Sequence, residues 1–267
     1  MIKRFSLSNG RSWVWLVLCV ILAMVAGRQL MQPLWGDPVI ALQMGGPYEY
    51  MEAHSTAPFS AWGRGRKGVS GGIPKVDARL RFVDSQYGFE TPLARFFTVT
   101  FIRNLVTDIR MSPQIEPLLI DDAMKVVLDL QAQWCAKGWR PVGTRRYPTI
   151  ADTPEWRAYL RPGVLQGHAY WQAGDKYQVM LILARFRDSR HLDQERYLIT
   201  LDIGEAWRLF EEDERRLEPH HSPHPNPKKE PPHAHPSLHD PPRQPTGPDQ
   251  CRRFYRGFSG QQLPERA

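Results

Sequence analysis

Fourteen apolar residues, Trp13 to Ala26 (WVWLVLCVILAMVA), come after Lys3, Arg4 and Arg11, and no acidic residue precedes Asp37. A positive flank ahead of an apolar stretch holds the N-terminus in the cytoplasm and commits the C-terminal remainder of the chain to export. As a helix the run rises about 21 Å at 1.5 Å per residue, short of the ~20 residues that cross a bilayer. Leu30, Met31 and Leu34 extend it, with Arg28 snorkelling to the headgroups. Trp13, Trp15 and Trp35 suit the two interfaces. Residues 1–36 are therefore read as a cytoplasmic stub and a membrane anchor over residues 13–34. The alternative is a cleaved signal segment, for which Val25-Ala26-Gly27 offers small residues. Either way the rest of the chain is expected in the periplasm, by preference as a single-pass inner-membrane protein with its N-terminus inside.

The other end restricts the fold as firmly. From Pro219 to Pro248 there are eleven prolines and six histidines, a composition from which no core can be built. Residues 211–267 are read as a charged, then Pro/His-rich disordered tail. Residues 37–75 contain Gly45-Gly46-Pro47 and the basic glycine loop from Gly63 to Gly72 without sustained periodicity, and are read as a linker. That leaves 76–210 as the globular domain.

Within it, Ala78–Asp84 and Arg95–Ile102 alternate apolar and polar residues, and Val106–Met111 returns as a hairpin partner. Asp121 is the expected N-cap of a helix with apolar residues at Met124, Val127, Leu128 and Trp134, stopped by Gly138. Thr153-Pro154 opens a shorter helix. Lys176–Phe186 reads as a central strand, and a last strand alternates through Tyr197, Ile199, Leu201 and Ile203. The expected class is α+β: a small antiparallel sheet with one main helix packed on it, in the order β-β-β-α-β-β.

The net charge of +7 gives little support to nucleic acid as a partner. Residues 1–36 carry +4 of it, 37–210 carry +3 and the remainder is neutral, so no clustered basic stripe exists. Cys19 lies inside the apolar run. Cys135 and Cys251 stand in a helix and a tail, and are expected as two unpaired thiols. No Asn-x-Ser/Thr sequon occurs, which fits a bacterial envelope better than a glycosylated ectodomain.

No enzyme signature emerges. Gly68-Val69-Ser70-Gly71-Gly72 matches G-x-S-x-G, but a glycine loop precedes it and an extended segment comes next, where a nucleophile elbow needs a strand and then a helix. The loop also lacks the Gly-Lys-Ser/Thr ending of a phosphate-binding loop. His191 and Glu195 are neighbours in a polar turn, and Asp121-Asp122 is accounted for by the helix start. Six tail histidines, His220, His221, His224, His233, His235 and His239, have the ligand chemistry for a weak zinc, nickel or copper site; otherwise no cofactor is expected. Tyr170, Trp171, Arg185, Phe186 and Arg187 form the candidate protein interface, since aromatic residues and arginine dominate binding hot spots.

The expected function is that of a membrane-anchored, non-catalytic periplasmic module binding another envelope or secreted protein. It would be immunity-type, neutralising an effector that acts in the periplasm, or accessory to an envelope assembly or secretion system. The alternative is metal handling through the histidine tail.

Overall fold

The computed structural model describes residues 36–63, 68–206 and 251. The chain divides into two units between Asp37 and Pro38, and the second unit carries the sheets and helices. Among the described residues it is a mixed α+β structure dominated by sheet, with three helices and twelve strands.

The strands are β1 (Val39–Leu42), β2 (Phe59–Trp62), β3 (Val69–Pro74), β4 (Arg79–Phe82), β5 (Phe89–Glu90) and β6 (Phe97–Ile102). They continue with β7 (Leu105–Met111), β8 (Leu118–Leu119), β9 (Arg140–Val142), β10 (Gln166–Ala173), β11 (Tyr177–Phe186) and β12 (Arg196–Glu205). The helices are α1 (Tyr48–His54), α2 (Ile120–Ala136) and α3 (Pro154–Leu160). The larger sheet runs β2-β3-β6-β7-β12-β11-β10-β9, with β8 also pairing β12. Its neighbouring strands are antiparallel throughout. A smaller sheet, β1-β4-β5, joins β1 and β4 in parallel.

One face of the larger sheet is the core. Val99, Phe101, Ile109, Leu201, Ile203, Leu181, Leu183, Ala169 and Trp171 alternate inward along their strands, as a period of two requires. All three helices lie on that face. Trp134 of α2 meets Trp171 at 5.7 Å, Tyr48 of α1 meets Phe101 at 5.5 Å, and the Trp156 ring of α3 lies against Gly167. The smaller sheet packs there too, through Phe82 on Trp139 and Phe89 on Trp134.

Several expectations are corrected by this arrangement. The stretch 37–75, read as a linker, holds β1, α1, β2 and β3, and Ile40, Leu42, Tyr48 and Met51 are core residues. The order β-β-β-α-β-β misses the strands before β4, as well as β5, β8, β9 and β10. Cys135 and Cys251 are not free thiols but form a disulfide, with Cα atoms 5.5 Å apart. It ties the end of α2 to a residue assigned to the tail. Helix α2 begins one residue before Asp121, with Leu119 at the cap position. Asp121 and Asp122 occupy its first turn, where they suit the dipole, and Asp121 also accepts from Arg157 of α3 at 2.6 Å. Among the described residues no helix is long and apolar enough to cross a membrane; residues 13–34 lie outside them.

Candidate functional site: the open face of the sheet

Because the helices and the smaller sheet pack on one side, the other side of the larger sheet has no described helix over it. Its residues are those between the core positions. Thr98 and Thr100 on β6, Asp108 and Arg110 on β7, and Thr200 and Asp202 on β12 lie in neighbouring rows. Met180 and Ile182 on β11, with His168 and Tyr170 on β10, extend the rows across the sheet.

At the β2–β3 end this face is apolar and exposed. Val69 stands opposite Ile102 and Ile102 opposite Leu105, with 68%, 44% and 42% of their surfaces accessible. Trp62, 54% exposed, lies across Gly71. A Cβ at Gly71 would fall 2.6 Å from the Trp62 ring, and one at Gly72 2.1 Å from Phe59. Gly71 and Gly72 of the G-x-S-x-G string are thus there for ring packing within β3, and Ser70 is a strand residue.

Beside this patch a groove of about 460 Å³ is lined by Ile102, Asp108, Tyr170, Met180, Asp202 and Glu205, with Gln178 buried in its floor. A bulge between Thr100 and Phe101 locally shifts the β6–β7 register beside Asp108. Asp108 lies beside Asp202 of the adjacent strand. Burial, and then the charge of Asp202, push the Asp108 carboxyl up to about 6, although Arg110 and Thr100 act in the opposite direction. Tyr170 is likewise raised, chiefly by burial and by Tyr147, whose ring lies 4.9 Å away, with a further contribution from Asp202. His168, next along β10, is held below its ordinary value by burial.

The candidate interface residues divide. Tyr170 lines the groove, whereas Trp171 is fully buried against Trp134 and belongs to the core. Phe186 is 40% exposed on the same face as Met180 and Ile182. Arg185 turns to the other side, donating to the Arg161 carbonyl and approaching Glu195 at 3.9 Å. Arg187 is exposed beyond the end of β11. Tyr170 and Phe186 therefore share a surface that Trp171 and Arg185 do not. His191 pairs with Asp188 at 3.0 Å, and Glu195 faces Arg161 at 3.5 Å. Asp188 also accepts from Arg190, and these bonds hold its carboxyl well below the usual range.

A second cleft, about 550 Å³, lies between β4, β5 and α2. Its polar groups largely satisfy one another: Arg81 pairs with Glu90 at 2.6 Å, and Gln133 bonds the Glu90 backbone and Asp129. Among the described residues no group of three His, Cys, Asp or Glu is placed to hold a metal ion. His220, His221, His224, His233, His235 and His239 lie outside them.

The site residues missed from sequence are Asp108 and Asp202. Each sits in an alternating strand as one polar residue among others, and only the β7–β12 pairing brings them together. Comparison with protein-family models, curated proteins and solved structures finds no match.

Proposed function

We propose that the chain is an exported, membrane-anchored, non-catalytic module that binds another protein through the open face of its larger sheet. In this reading residues 13–34 anchor it in the inner membrane, the N-terminus stays inside, and the domain and the Pro/His-rich C-terminal segment lie in the periplasm. The observation that carries the proposal is the one-sidedness of the fold. Helices and smaller sheet cover one face, while the other carries Trp62, Val69, Ile102 and Leu105 exposed beside a groove. A contiguous exposed apolar patch with a polar surround is the mark of an interaction surface. Export has separate support from the Cys135–Cys251 disulfide, since such bonds persist in oxidising compartments.

Site-specific photo-crosslinking in intact envelopes tests the proposal. The chain carries p-benzoylphenylalanine at Ile182, on the open face, or at Lys125, on the exposed side of α2. A discrete protein adduct from position 182 and none from 125 is expected. A secreted toxin-like adduct identifies an immunity protein, and a subunit of a membrane machine identifies an accessory. Absence of any adduct from position 182 rejects the open face as the binding surface.

A further inference from the structure

We infer that the groove on the open face is a socket for one basic side chain, arginine or lysine, presented by the exported protein that docks there. The inference rests on the reading of that face as a binding surface and gives the partner its chemistry. Charge is the first argument. Among the described residues the groove lining contains Asp108, Asp202 and Glu205 and no lysine or arginine. Arg110 stands opposite Asp202 in the register, outside the lining, and is the cation nearest the pair along β7. Tyr170 faces the pair from β10, and Arg146, 5.3 Å from the Tyr147 ring, acts on Tyr170 from outside the groove lining.

Shape is the second argument. Ile102, Met180 and the Tyr170 ring form walls suited to the methylene stem of a long cationic side chain, with the carboxylates placed for its head. Trp62, Val69 and Leu105, beyond the groove, supply apolar surface for flanking residues of the partner. A desolvated charge at the centre of an apolar surround is how interfaces concentrate their specificity. The elevated Asp108 carboxyl agrees with this picture: burial first, and then the charge of Asp202, disfavour its ionised form, and a cation entering the groove would offset both.

The test uses the full chain in detergent micelles. Its probes are a fluorescein-labelled octapeptide of alternating arginine and leucine, and a twin with citrulline in place of arginine. Anisotropy at pH 7.5 is expected to give binding about tenfold or more tighter for the arginine peptide. That preference disappears in the D108N/D202N variant and persists in E52Q/D193N, which removes the same charge elsewhere. It also shrinks at pH 5, where Asp108 is protonated. Equal binding of the two peptides to the unaltered protein overturns the inference without depending on any variant folding. So does a preference that survives D108N/D202N. Crosslinking from Ile182 separates the two levels. An adduct that persists undiminished with the pair neutralised overturns the basic anchor and leaves the binding module standing. No adduct with either form overturns both.

Discussion

At the scale of single residues, Asp108 and Gln114 make opposite contributions. Asp108 lies on the open face with its carboxyl raised to about 6, so between the ordinary carboxylate value and 6 the folded chain holds a proton that the unfolded chain has lost. Stability therefore falls as pH rises through that window and stays low above it. Asp108→Asn removes the penalty. It is expected to stabilise the protein by about 1–2 kcal/mol at pH 7.5, after discounting for partial solvent screening, and to change little at pH 4. Urea unfolding at the two pH values checks this. Gln114 is buried, its Nε2 donating to the carbonyls of Glu116 and Tyr197 and its Oε1 accepting from the Ile199 amide at 2.8 Å. Gln114→Ala leaves two buried backbone groups of β12 without these partners and should cost roughly 2–4 kcal/mol in the same assay.

At the scale of elements, the parts legible from sequence were those with strong local signals. Thr153-Pro154 opens α3 as expected: the Thr153 hydroxyl accepts from the Trp156 amide at 3.3 Å, and Thr153→Ala should cost about 1 kcal/mol in thermal unfolding. The alternation in β6 and β12 also survives nearly to the residue, and β7 and β11 are strands where they were expected. What escaped were strands whose inward residues are small or whose run is short. In β10 the core positions are Gly167, Ala169, Trp171 and Ala173, so the alternation is one of size more than of hydropathy. In β3 two consecutive glycines, which read as a loop, make room for the Phe59 and Trp62 rings. In β1 four apolar residues, all buried, are too few to show a period. The Asp108–Asp202 pair had no local signal, because its proximity is a product of strand order.

At the scale of the whole molecule, the disulfide fixes a residue near the chain's end to α2. Replacing Cys135 by Ser is expected to lower stability by about 2–4 kcal/mol, measured under non-reducing conditions. Export of the domain is tested by alkaline phosphatase fused after Ala267. It should be active with the N-terminal segment intact and inactive when residues 1–36 are removed, with the loss of export judged by spheroplast fractionation. The same truncation, by leaving the domain in a reducing compartment, should render both cysteines reactive to alkylation.

Strand order also has a consequence for synthesis. β12 is the last described strand in sequence, yet in space it lies between β7 and β11 and pairs with both. Apart from β8, the larger-sheet strands made before it fall into two partial sheets, β2-β3-β6-β7 and β9-β10-β11, that strand pairing joins only when residues 196–205 arrive. A chain emerging N-terminus first thus carries an unfinished centre until those residues emerge, and Asp202, one half of the carboxylate pair, arrives with the strand that closes it. The groove and the completed larger sheet come into being in the same event, so a nascent chain does not carry the groove before residues 196–205 are placed.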